Sequence, residues 1–71
     1  MSPQAYRLTK EKGLSEREIE ISLLVLAGKS KEEISIELYI SKFTVDTHIK
    51  HIYKKMNVNS LSQFIKEFNS I

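Results

Sequence analysis

Four serines mark where helices can begin in this chain. Ser15 is followed three residues later by Glu18, and Ser30 by Glu33. In this spacing a serine hydroxyl accepts a backbone N–H of the first helical turn while the glutamate reaches back to the serine N–H. Ser41 opens a third segment, and Ser60 with Gln63 opens a fourth after Asn57, Val58 and Asn59. Behind each serine, apolar residues recur at helical intervals: Ile19, Ile21, Leu24 and Val25; Ile34 and Leu38; Val45, Ile49, Ile52 and Met56; Leu61, Phe64, Ile65 and Phe68. Leu14 with Ile19, and Ile40 with Val45, are spaced as hydrophobic staples across two of the starts. Gly28 is placed to end the first helix in a left-handed residue, and Tyr39 and Ile40 leave only a tight connection between the second and third. One serine cap is a weak signal. Four caps in register with four apolar periodicities, and no segment that alternates with period two, predict an all-α, four-helix domain over residues 14–71. Residues 1–13, with Pro3, Gly13 and no firm periodicity, read as an N-terminal arm or linker.

A chain of 71 residues makes one domain with a small core. It has no cysteine, which excludes a disulfide framework and a cysteine-based zinc site and fits a reducing cytoplasm. The longest apolar run, Leu23 to Ala27, is too short to span a bilayer, and the N-terminus lacks the apolar stretch of a signal peptide, so a cytoplasmic segment without membrane contact is expected. The net charge of +2 is modest, but its distribution is not even. From Ser41 to Val58 there are four lysines, Lys42, Lys50, Lys54 and Lys55, against Asp46 alone, whereas Ser15 to Ala27 holds Glu16, Glu18 and Glu20 against Arg17. One face is set for an anionic partner.

The third helix localises that face. With about 100° per residue and Val45 at zero, Ile49, Ile52 and Met56 fall within about 40° of it and form the buried stripe. Phe43, Thr47, Lys50 and Lys54 point the opposite way, Asp46 and Lys55 lie on the two flanks, and His51 lies between Lys55 and Thr47. Lysines opposite a core stripe are commonly just a solvated face. Here a short helix and a brief connector precede them, which is helix-turn-helix organisation, and an outward phenylalanine is foreign to a purely solvated surface. The second helix of such a unit enters the major groove of duplex DNA with its N-terminal residues at the base edges. Those residues are Lys42, Phe43, Asp46, Thr47 and Lys50.

The segments LSEREIEI, AGKSKEEIS and LYISKFTVDTHIKHIYKKMNVNS, running without a gap from Leu14 to Leu61, resemble the LuxR/GerE-type helix-turn-helix family of bacterial transcription regulators. The resemblance implies a four-helix DNA-binding domain, commonly attached to an upstream sensor domain, that binds double-stranded DNA and pairs on it as a weak homodimer through the fourth helix. It implies backbone contacts for Ser30, Lys31, Thr44 and Lys55, and a base-reading or phosphate-contacting place for Lys50. His51 and Lys54, on or beside the basic face, join the phosphate candidates. Dimer candidates on the fourth helix are Leu61, Ser62, Ile65, Lys66, Phe68 and Asn69. The clear departure is Asp46, where relatives often carry a basic residue. An aspartate repels phosphate but is able to accept from cytosine N4, and Phe43 is able to pack on a thymine methyl.

Other chemistry finds little footing. His48 and His51 stand three apart with no third ligand at sensible spacing. The family resemblance implies that His48 is half-buried and structural. Glu32 and Glu33 are adjacent and diverge on a helix, so they make no catalytic pair. No cofactor and no enzymatic activity are expected. The alternative to DNA binding is a helix-turn-helix-derived protein-protein interaction module with lost or weak DNA binding, which Asp46 and the low net charge favour and the third-helix lysines oppose.

Overall fold

The computed structural model describes residues 3–69, and the ends of the two expected segments at 1–2 and 70–71 lie outside them. Among the described residues there are five helices and no strand: α1 Pro3–Glu11, α2 Glu16–Leu26, α3 Lys31–Leu38, α4 Lys42–Met56 and α5 Leu61–Asn69. The four helices expected from the serine caps are α2 to α5.

Local chemistry explains the boundaries. Ser15 Oγ accepts the Glu18 N–H at 3.2 Å and Ser15 N–H donates to Glu18 Oε1 at 2.8 Å, a complete capping box. Ser30 and Glu33 repeat it at 3.1 and 2.9 Å. Ser41 caps α4 by accepting the Thr44 N–H at 3.0 Å. At α5, Ser60 Oγ accepts the Gln63 N–H at 3.2 Å, but the Gln63 side chain takes the Asn59 N–H at 2.6 Å rather than that of Ser60, so the reciprocal half slips one residue upstream.

The helix ends share a second rule. Gly13, Gly28, Tyr39 and Asn57 all take left-handed backbone, with φ of 80°, 86°, 57° and 58°. After each, the next N–H reaches back five residues: Leu14 to Thr9 O at 3.0 Å, Lys29 to Leu24 O at 3.0 Å, Ile40 to Ser35 O at 3.1 Å and Val58 to Tyr53 O at 3.0 Å. This is the Schellman closure, which satisfies carbonyls that the helix leaves open. Glycine enters it freely; Tyr39 does so against the Cβ clash that makes left-handed backbone costly for most side chains.

The core is the convergence of these helices. Val45, Ile49, Ile52 and Met56 of α4 are buried against Ile19 and Ile21 of α2, Ile34 of α3, and Leu14, Val58, Phe64 and Phe68, with Leu24, Val25, Leu38 and Ile40 packed around them. α4 packs chiefly on α3 and α2. α5 closes the cluster with aromatic contacts, Tyr53 to Phe64 at 5.5 Å between centroids and Phe64 to Phe68 edge-on at 5.0 Å.

Two expectations change. The segment read as an N-terminal arm or linker without firm periodicity is helical over Pro3–Glu11, as α1. Among its described side chains Thr9 alone is fully buried; its hydroxyl donates to Tyr6 O at 2.7 Å, while Leu8 packs on the core and Lys10 pairs with Glu16 at 2.6 Å. A helix that buries a threonine through a local hydrogen bond leaves no apolar periodicity to detect. Phe68, expected among the pairing residues, is only 9% exposed and belongs to the core.

Candidate nucleic-acid interface

The connection between α3 and α4 is three residues, Tyr39 to Ser41. Its left-handed residue turns the chain sharply enough to bring α3 across α4, the arrangement of a helix-turn-helix. Because the α4 stripe is buried on α2 and α3, its opposite side faces solvent. Phe43 is 80% exposed there, and Lys42, Lys50, His51 and Lys54 are exposed with it. Thr47 is half-buried and donates its hydroxyl to Phe43 O at 3.1 Å. His48 is half-buried, as expected.

Among the described residues, Lys42 and Lys54 form no pair with a carboxylate. The expected phosphate contacts Ser30 and Thr44 sit at the N-termini of α3 and α4, where helix dipoles and open N–H groups favour an anion. Thr44 shares a 2.8 Å hydroxyl contact with Ser41.

Three of the candidate lysines have carboxylate partners, two of them across helices where the linear pattern does not announce them. Lys31 Nζ donates to Asp46 Oδ1, joining α3 to α4, and Lys50 Nζ lies 3.2 Å from Asp46 Oδ2, one turn along α4. The hydrogen bond from Lys31, then that from Lys50, hold the Asp46 carboxyl below its ordinary value. Asp46, expected to be able to accept from a base, thus has a lysine on each of its oxygens in the free domain. Lys55, on the other flank, donates to Glu18 Oε1 at 2.7 Å and to Gly13 O at 3.2 Å. Glu18 is 4% exposed. Burial pushes its carboxyl up, but the Lys55 hydrogen bond and the Ser15 N–H outweigh it and leave the group below the ordinary glutamate value. Lys55, expected at a DNA phosphate, therefore also braces the capping box of α2.

On α5, Leu61 and Ile65 are exposed beside Ser62, Lys66 and Asn69, while Phe64 and Phe68 face inward. The helix divides its apolar stripe between the core and a small outward patch. The pattern also missed an exposed apolar pair next to the turn, Ile36 on α3 and Tyr39 after it. A tyrosine after the last apolar position of a short helix is the available signal, but nothing local marks it as left-handed.

The model of the family described as bacterial regulatory proteins, luxR family, matches residues 12–68, from just before the cap of α2 to the end of α5. The chain belongs to the luxR family. The transcriptional regulatory protein LiaR of Bacillus subtilis is 44% identical over 50 residues, covering 70% of this chain and 24% of LiaR. The transcriptional regulatory protein DegU of Brevibacillus brevis is 43% identical over 54 residues, covering 76% of this chain and 23% of DegU. The response regulatory protein YgeK of Escherichia coli is 40% identical over 60 residues, covering 84% of this chain and 41% of YgeK. The chain thus spans about a quarter to two fifths of these relatives. As a luxR-family domain it serves DNA binding in transcription regulation, and α1 lies outside the matched residues. No helix among the described residues is long and apolar enough to cross a membrane.

Proposed function

We propose that this luxR-family domain lays α4 in the major groove and reads base edges with Lys42, Phe43 and Thr47, with Lys50 placed to reach a base edge or a phosphate. Ser30, Lys31, Thr44, His51 and Lys54 hold the phosphate backbone on either side. The observation that carries this reading is the division of α4: one face wholly buried, the other exposing Phe43 among cations, immediately after a three-residue turn. Phosphate contacts fix register and base contacts specify sequence. A single recognition helix spans few base pairs, so two copies are needed to define a regulator's site. Leu61 and Ile65, rimmed by Ser62, Lys66 and Asn69, offer a patch small enough that the free domain pairs weakly and DNA supplies the alignment. The rest of a longer regulator, including a sensor domain, would precede the region of α1.

Selection from random duplex, followed by titration across a salt series, tests the reading. The selected site should be a two-fold repeat bound by two chains, and Lys54→Ala should weaken binding to all duplexes while lowering the salt slope by about one unit. One chain per site without cooperativity rules out the pairing. Binding indifferent to salt points to an adaptor that recognises protein.

A further inference from the structure

Lys31 and Lys50 come from different helices and close on different oxygens of one carboxylate. All three side chains retain solvent contact, with Asp46 31% exposed, so this is an open cluster and not a buried brace. Two ammonium groups around an oxyanion beside the exposed face of α4 form the arrangement in which they would hold a DNA phosphate.

We infer that Asp46 is an internal substitute for phosphate: a positioning residue that holds Lys31 and Lys50 ready in the free domain and competes with duplex DNA for them. The inference rests on the reading of α4 as the DNA-facing helix. Three consequences follow from the geometry. Each Asp46 oxygen already spends one acceptor site on a lysine, so the carboxylate acts first on affinity, through the charges it holds, and only secondarily on sequence choice. The two lysines and Asp46 together bring one net positive charge to the duplex instead of two. Exposed ion pairs are weak and screened, so exchange of Asp46 for phosphate is open, but the displaced carboxylate stays near the backbone and opposes it. The domain therefore binds any single half-site less tightly than its lysines would allow, and relies on pairing to hold a full site.

The test uses the 71-residue chain and its Asp46→Asn variant, titrated with one nonspecific duplex across a salt series and passed through random-duplex selection. Asp46→Asn should tighten binding to every duplex by on the order of tenfold at low salt and steepen the salt slope by about one unit, with the selected site unchanged. Adding Lys31→Ala should cost more binding in the Asp46→Asn background than in the parent, because only there is the lysine unopposed. A changed preference at one base pair with nonspecific affinity intact makes Asp46 a base reader and overturns the inference, as does an unchanged affinity and slope. A readout without DNA accompanies these: in the free protein, the NMR titration of the Asp46 carboxyl should move up toward its ordinary value in Lys31→Ala/Lys50→Ala, and an unmoved titration overturns the positioning role. If neither parent nor variant binds duplex, the assignment of α4 fails and the inference with it, while the carboxyl titration still reports separately on the cluster.

Discussion

The two flanks of α4 each carry an ion pair to another helix, and the pairs do different work. On one flank Lys55 meets Glu18, whose carboxylate is nearly sealed from water and also closes the capping box of α2. On the other, Lys31 and Lys50 meet Asp46 in the open. The chemistry of lysine and carboxylate is the same. What differs is the state left when the pair is broken. A buried carboxylate that loses its cation has no water to replace it, whereas an exposed one is rehydrated at once. The first flank holds the fold, and the second is left adjustable for function.

The most damaging way to probe this contrast is Lys55→Ala. It should lower stability by about 2–3 kcal/mol, because Glu18 stays buried with only the Ser15 N–H to satisfy it. Chemical denaturation measures it. The folded fraction should keep the salt slope of the parent on DNA, and a slope lowered by a full unit would place Lys55 among the phosphate contacts.

A smaller effect is expected from acid. Glu18 has a folded pKa below its ordinary value of 4.5, so it contributes stability above that pH and the contribution is lost as pH falls through the folded pKa. Asp46 is also held low, below 3.8, but its exposed pairs are screened. Melting temperature followed from neutral pH down to the acid range should therefore fall, and Glu18→Gln should flatten that limb more than Asp46→Asn does. Equal flattening would mean that burial does not separate the two flanks.

The smallest change in stability belongs to Lys31→Ala, within about 0.5–1 kcal/mol of the parent. Its effect should appear in DNA titration instead, as a loss common to all duplexes. A stability loss as large as that of Lys55→Ala would make the Asp46 cluster a brace as well.

The sequence by itself determined the helices α2 to α5 and the inner face of α4, because the signals for them are local. A serine and a glutamate three residues apart meet within one turn, and Val45, Ile49, Ile52 and Met56 share a side of any helix that contains them. The exposure of Phe43 and Lys50 followed from the same periodicity. Tertiary structure alone decided which lysines are paired across helices. Asp46 is 15 residues from Lys31, and Glu18 is 37 from Lys55, so no window of local pattern contains either cross-helix pair. It also decided α1, whose buried residue is a polar Thr9, and the left-handed Tyr39, which is tolerated because the packing of α3 on α4 requires the turn it makes. Caps and periodicity act over one or two turns of chain; charge pairing and burial act through space, and only the folded arrangement brings those partners together.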